Sequence, residues 1–455
     1  MALKNPAPPN LTELTREDLI AIIIRQGELI AELQKQIEQL RRKAIPQPSP
    51  FSRNKPKPNP KPPGRKPGQG LFTRRPAPPE QPTDWNVQAT VPQQCPDCGG
   101  DLDLVQVDQA TVADLAQAPE PVVTRYTVPV CRCRKCGKRV RGQAPGLAPD
   151  QAGATAHRVG PAVMAAAHEL HYGMGIPVRK VPGVLKSLTG LEITASAITQ
   201  DAMQQSEGAV GAAYEKLRGQ MRDSAAVHTD DTGWKVGGKS AYLMGFDSDQ
   251  AAVYQVRFQH RNQEVQEIIP ADFGGVLITD RGVSYDAKAF DEMKQQKCLA
   301  HLLKNISVVL ENKAGAARWF GVELKSLLQE GIELSKAPPG EGWSEKVDDL
   351  DIRLTWHLRE RVLKDEDNQR LLNGIGYQQD RDRVLTFLRV PGVEPTNNRA
   401  ERMLRPAVIA RKVSHCSKNE RGAYATAAFL SVIQTARKAV SGVASLPSLL
   451  GLALN

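Results

Sequence analysis

Three successive β-like runs, Ala225 to Val236, Ser240 to Asp247 and Ala251 to Gln259, follow one another with only Gly or Asp turns between them. Runs so closely spaced satisfy their backbone groups as a meander of neighbouring strands. A fourth run, Gly275 to Asp280, places Val276, Ile278 and Asp280 on one face by the period of two, with Asp280 leaving the sheet at its carboxyl end. The first run likewise reaches an acid, Asp230. A helical stretch at Asn262 to Ile269 precedes the fourth run, a helix is expected over Ser284 to Lys294, and a further run covers Lys297 to Leu303.

A meander followed by alternating helix and strand is the order of a ribonuclease H-like α/β domain, in which the first and fourth strands are neighbours. That adjacency brings Asp230 and Asp280 together. A third acid comes from Pro395 to Arg405, where Thr396 reads as an N-cap and Glu401 falls in the second turn of a helix. At helical spacing Asn397, Asn398, Glu401 and Arg405 share one face. Two amides, a carboxylate and a guanidinium stand where a structural helix would present Leu or Val, so the face reads as a site.

The chain of 455 residues has room for several domains, and its formal charge of +10 points to an anionic partner, of which nucleic acid is the commonest. Met1 to Asn10 has Pro and Asn where a secretion signal needs an apolar segment, and no stretch reads as a membrane span, so a soluble intracellular protein is expected. Over Thr15 to Lys43, Leu19, Ile23, Gln26, Ile30, Leu33, Ile37 and Leu40 keep an unbroken heptad. Ile at a and Leu at d favour a parallel two-stranded coil, hence a homodimer through residues 15–43; the alternative is a helix packed on its own protein. Between Pro46 and Pro82 lie thirteen prolines, and between Arg53 and Arg75 eight Lys or Arg with no acid. This segment reads as an extended basic tether that neutralises phosphates without reading sequence.

Cys95-Pro-Asp-Cys98-Gly-Gly and Cys133-Arg-Lys-Cys136-Gly are two C-x-x-C turns separated by a hairpin-like stretch. Four thiolates so spaced predict a structural Cys₄ zinc site, with Cys131 as a competitor for the fourth position. Arg132, Arg134, Lys135, Lys138, Arg139 and Arg141 crowd its second half. Val181 to Gln204 reads as two helices about a turn at Thr189-Gly190-Leu191, the pattern of a helix-turn-helix. Between Asp280 and Glu401 lie 120 residues, too many for a loop, so a helical insertion is expected whose Trp319, Trp343 and Trp356 fill its core.

The chain resembles the DDE transposases of bacterial insertion-sequence family sixty-six. The resemblance rests on Asp230-Asp231-Thr232-Gly233-Trp234, Thr279-Asp280 with Tyr285-Asp286, Cys298-Leu-Ala-His301-Leu-Leu-Lys304, Thr396-Asn397-Asn398-Arg399-Ala400-Glu401-Arg402, Arg405-Pro406 and Arg411-Lys412. It implies cleavage and strand transfer of double-stranded DNA, at transposon ends and target, by two divalent ions, Mg²⁺ or Mn²⁺, held by Asp230, Asp280 and Glu401. Cys298, His301, Asn397, Asn398 and Arg405 take supporting roles in this reading, Zn²⁺ sits at Cys95, Cys98, Cys133 and Cys136, and accessory transposition proteins are further partners. The setting is the bacterial cytoplasm, on the nucleoid. Two departures stand out: the family usually carries Glu where Asp231 stands, and Gly where Arg281 stands.

The expected layout is a coiled-coil helix (1–45), basic linker (46–85), zinc module (86–145), helical DNA-binding domain (150–222), ribonuclease H-like domain (223–307 and 385–440), helical insertion (308–384) and tail (441–455). The competing readings are a non-catalytic DNA-binding regulator derived from a transposase, and a ribonuclease H-like nuclease that does not transpose.

Overall fold

The computed structural model describes residues 15–16, 26–34, 36, 90, 93–104, 106, 121–145, 147, 159–337 and 339–439. The basic linker and the tail at 441–455 lie outside the described residues, as do Leu19, Ile23, Ile37 and Leu40 of the heptad. The chain divides into two compact units, Met1–Asp114 and Leu115–Asn455.

In the first unit, residues 26–34 and 36 are helical, and the side chains of Leu29, Ile30 and Leu33 are exposed. Cys95 opens a tight knuckle in which its N–H donates to Gly100 O and its carbonyl accepts from Gly99 N–H, each at 2.9 Å. In the second unit Cys133 repeats this pattern with Lys138 O at 2.8 Å and Gly137 N–H at 2.9 Å. Both turns close through a glycine at positive φ, 73° at Gly99 and 69° at Gly137, which a side chain would oppose.

Strands β1 (Val130–Arg132) and β2 (Arg139–Arg141) pair antiparallel on either side of the second knuckle. The hairpin therefore carries that knuckle at its tip, where the sequence suggested a hairpin lying between the two Cys pairs. Cys131 faces Val140 within the ladder, so Cys133 rather than Cys131 holds the knuckle position.

Four helices follow: α1 (Pro161–His168), α2 (Val181–Thr189), α3 (Ala195–Glu207) and α4 (Ala209–Arg222). Gly190 ends α2 in the left-handed region and the Thr194 side chain caps α3 by accepting from Ala197 N–H. Ala167, Val181, Leu185 and Ile198 form a small core among the first three.

The five-stranded sheet has the order β5-β4-β3-β6-β7, with β3 (Ala226–Val236), β4 (Lys239–Asp247), β5 (Ala252–Arg257), β6 (Val276–Thr279) and β7 (Gln295–Lys297). The first three pair antiparallel; β6 runs parallel to β3, and β7 parallel to β6. Helix α5 (Asn262–Gln266) links β5 to β6. The helix expected over Ser284 to Lys294 is instead two 3₁₀ turns, Val283–Tyr285 and Lys288–Phe290. The Gln295 amide takes the carbonyls of Tyr285 and Phe290 at 3.0 and 3.3 Å, which diverts them from a continuous helical ladder.

Beyond β7 come α6 (Leu299–Glu311), α7 (Ala316–Leu334), α8 (Trp343–His357), α9 (Glu366–Gln379) and α10 (Thr386–Arg389). Their apolar stripes gather with Val276 and Ile278 of β6 into one core. The expectation that the tryptophans fill this core fails for two of the three. Trp319 and Trp356 are 59% and 57% exposed. Trp319 stands one position before Phe320 of the buried stripe Phe320-Leu324-Leu327, and Trp356 one position before buried His357 of the stripe Val347-Leu350-Leu354-His357, whereas Trp343 is partly buried with Nε1 donating to Leu388 O at 3.3 Å.

The chain returns through α11 (Asn398–Ser414) and α12 (Glu420–Ala439). Leu404 and Ala407 of α11 and Phe429 and Leu430 of α12 join Phe246, Tyr254 and Tyr214 in the larger core around β3 to β5. Among the described residues no helix is long and apolar enough to cross a membrane.

Candidate active site

Asp230 lies within β3, paired across β4 with Gly245. Asp280 follows the last residue of β6. The parallel register matches His228 with Ile278, so continuing it by two residues sets Asp230 opposite Asp280. His228, Asp230 and Thr232 share the face on which α11 lies, since His228 meets Asn397 and Thr232 meets Arg411. A Cβ at Gly245 would stand 3.0 Å from Leu404, so its missing side chain lets α11 approach the sheet directly beside Asp230.

The first turn of α11 is staked to three elements. Asn397, fully buried, is its N-cap residue and uses its side chain outward from the helix: Nδ2 donates to Thr229 O at 2.7 Å, and Oδ1 meets His228 Nδ1 at 3.2 Å. Its N–H donates to Cys298 Sγ at 3.1 Å, and its carbonyl accepts from Glu401 N–H at 3.3 Å. On the other flank Arg399 Nε donates to Asp247 Oδ2 at 2.7 Å, at the end of β4. The helix thus begins one residue later than Thr396 suggested and has no side-chain cap. Asn397 faces inward because its backbone is not yet helical (φ −94°, ψ 21°), so it leaves the face shared by Asn398, Glu401 and Arg405. Those three are exposed, and the side chains of Asn398 and Arg405 make no hydrogen bond or ion pair to a described residue.

Glu401 therefore stands in the first turn, with Oε1 3.6 Å from His301 Nε2. The Cys298 thiol beside His301 raises the imidazole pKa first, opposed by burial and helped by Glu401 and Asp280. Burial pushes the Cys298 thiol up, but hydrogen bonds from the His301 side chain and from the Asn397 and His301 N–H groups outweigh it and leave the thiol below its ordinary value. Cys298, His301, Asn397 and Glu401 are thus brought together.

Asp230 is pushed up to about 6, first by burial and then by the carboxylates of Asp280, Asp231 and Glu401, against a hydrogen bond from Asp231 N–H at 2.9 Å. Asp280 Oδ1 accepts from Gly282 N–H at 2.7 Å. Asp231 does not compete: its carboxylate leaves on the opposite face, 3.1 Å from His260 Nδ1. Among the described residues no three His, Cys, Asp or Glu side chains close into a metal-sized cage. The donor set of hard carboxylate oxygens nonetheless suits Mg²⁺ or Mn²⁺.

Sequence reasoning missed a buried ionic cluster behind Asp280. Lys297, with no exposed surface, has Nζ 2.9 Å from Asp286 Oδ1 and donates to Thr279 Oγ1 at 3.2 Å. Arg383 Nη1, equally buried, stands 3.5 Å from the same Asp286 oxygen, and Gln378 Nε2 donates to Asp286 Oδ2 at 2.9 Å. The acid in Tyr285-Asp286 was visible, but its partners follow it by 11 and 97 residues, beyond any local pattern.

In the Cys knuckles the thiols of Cys95 and Cys133 are drawn below their ordinary value by N–H groups of their own turns, Asp97 and Cys98 in the first and Cys136 and Lys135 in the second. Each turn so favours a thiolate, the form a zinc ion takes.

Comparison with known proteins identifies a family for this chain. Residues 157–425 match the model of the transposase IS66 family, and residues 92–137 match that of the zinc-finger binding domain of transposase IS66. No curated protein matches the chain closely. Among solved structures, the HTLV-2 integrase catalytic core domain in complex with magnesium, in its trimeric form, is similar at 14% identity over 32% of this chain and 95% of that one, with a TM-score of 0.15. The family match covers more than half of the chain and includes all three acids together with the helix that carries Glu401, so the protein belongs to the IS66 family of transposases.

Proposed function

We propose that this transposase cleaves and joins DNA strands with a ribonuclease H-like domain in which Asp230, Asp280 and Glu401 hold two divalent ions, Mg²⁺ or Mn²⁺. The observation that carries the reading is Asp230, raised to about 6 by burial and by the carboxylates around it, opposite Asp280 in register. When bound, the ions supply Lewis acidity to the attacking and leaving oxygens of an in-line displacement at phosphorus.

The chain's own residues set the stage for that reaction. Asn397 and Arg399 fix the first turn of α11 against β3, Cys298 and β4, which aims Glu401 at the two aspartates. His301 touches Glu401 and orients its carboxylate. Asn398 and Arg405 face solvent on the same helix and offer an amide and a guanidinium to DNA phosphates. Zn²⁺ is the expected structural ion of the Cys95-Cys98 and Cys133-Cys136 turns, and the basic residues of the β1–β2 hairpin, on either side of the second turn, serve DNA contact. The heptad over residues 15–43 joins two copies, the terminal inverted repeats of the element are the specific DNA, and accessory transposition proteins assist.

The test incubates wild-type and Glu401→Gln protein with Mg²⁺ or Mn²⁺ and labelled DNA ends taken from the gene's own flanks. Wild type should cleave or join the ends, and the variant should bind them with activity lowered by at least a hundredfold. Binding by both with cleavage by neither, even when neighbouring gene products are added, would leave a DNA-binding regulator.

A further inference from the structure

Arg281 directly follows Asp280, and its guanidinium is half-buried without a hydrogen bond or ion pair to any described residue. Guanidinium carries five donors and stays charged, so burying part of it unpaired is costly. The nearby carboxylates are those of Asp286 and Asp280. Neither acid is available as a partner. Asp286 is taken by Lys297, Arg383 and Gln378, and one oxygen of Asp280 accepts from Gly282 while the carboxylate belongs to the acid cluster.

The neighbouring helix is shaped around this side chain. A Cβ at Gly374, in the middle of α9, would stand 2.9 Å from Arg281 Nη1. Gly374 has no positive φ to require glycine, and glycine is a poor helix former, so the space it leaves is its structural use. Loop and helix together hold a cation beside the reacting carboxylates with its acceptor missing.

We infer that Arg281 is a substrate-binding residue that clamps a DNA backbone phosphate next to the one undergoing transfer, aimed by the gap at Gly374. The inference rests on the strand-transfer reading above. A phosphate diester supplies what the site lacks: one negative charge and two oxygens in the plane that the guanidinium fork matches.

The test measures binding of a labelled duplex carrying one flanking end by full-length protein in the Glu401→Gln background, which keeps the DNA intact, across a salt series. Adding Arg281→Gln should weaken binding about tenfold and reduce the slope of log affinity against log salt by about 1, the signature of one lost phosphate contact. Arg281→Lys should restore the slope but not the full affinity. Gly374→Ala, which favours the helix and displaces only the guanidinium tip, should keep or raise the melting temperature while weakening binding. An unchanged slope with Arg281→Gln, or full affinity with Gly374→Ala, overturns the inference and leaves the transposase reading standing. Failure of the Glu401→Gln background itself to bind the duplex overturns both.

Discussion

Asp230 shows what a carboxylate buried among other acids costs the fold that holds it. Its pKa of about 6 exceeds the unfolded value of about 3.9, so the folded chain binds the extra proton between these limits. The penalty is absent below about pH 4, grows as pH rises through the window, and reaches about 3 kcal/mol above pH 6. Asp230→Asn should therefore stabilise the protein by about 2–3 kcal/mol at pH 8 in the presence of a chelator, with little change at pH 4, and should abolish strand transfer. Urea denaturation at the two pH values checks this; equal stability of variant and wild type at pH 8 contradicts it. At this scale the sequence was informative where chemistry is local. Glu401 and Asp280 announced themselves by type and position, but the inward turn of Asn397 depends on a backbone that is one residue short of helical, and no side-chain pattern encodes that.

Among the elements, the strands of the meander and β6 were legible because each is a short run rich in β-branched, aliphatic and aromatic residues bounded by Gly or Asp turns. The fifth strand was not. Gln295, Gln296 and Lys297 are all buried, so a pattern of hydrophobicity cannot reveal them. Their polar groups are matched by distant partners: Gln296 donates to Val384 O and accepts from Phe387 N–H, each at 2.9 Å, and Lys297 pairs with Asp286. The same holds for the loop after β6, which Gln295 winds into two short turns. Removing the central acid would leave Lys297 and Arg383 buried without compensation. Asp286→Ala should thus destabilise the protein by about 3–5 kcal/mol in chemical denaturation, whereas Asp286→Glu, which keeps the charge, should lose less. A loss below about 1 kcal/mol for the alanine variant would show that the two cations are held by other groups.

For the whole molecule, assembly is the property most open to test. Ile30 and Leu33 of the heptad lie on a helical segment and are 55% and 47% exposed, an apolar seam suited to a second copy. Light scattering should give a dimer for wild type and a monomer for Ile30→Asp with Leu33→Asp, with the melting temperature of the catalytic portion unchanged. A monomeric wild type would sink the homodimer. Another consequence concerns attempts to trim the protein. The N–H of Lys297, at the sheet's outer strand, donates to the carbonyl of Arg383 at 2.8 Å, on the chain returning from the long helical excursion. That returning segment acts as a hem on an otherwise raw selvedge. A shortened enzyme cut back at residues 308–384 would lose Arg383 with the excursion, bare a strand able to zip onto its neighbours in solution, and precipitate rather than yield a minimal catalyst.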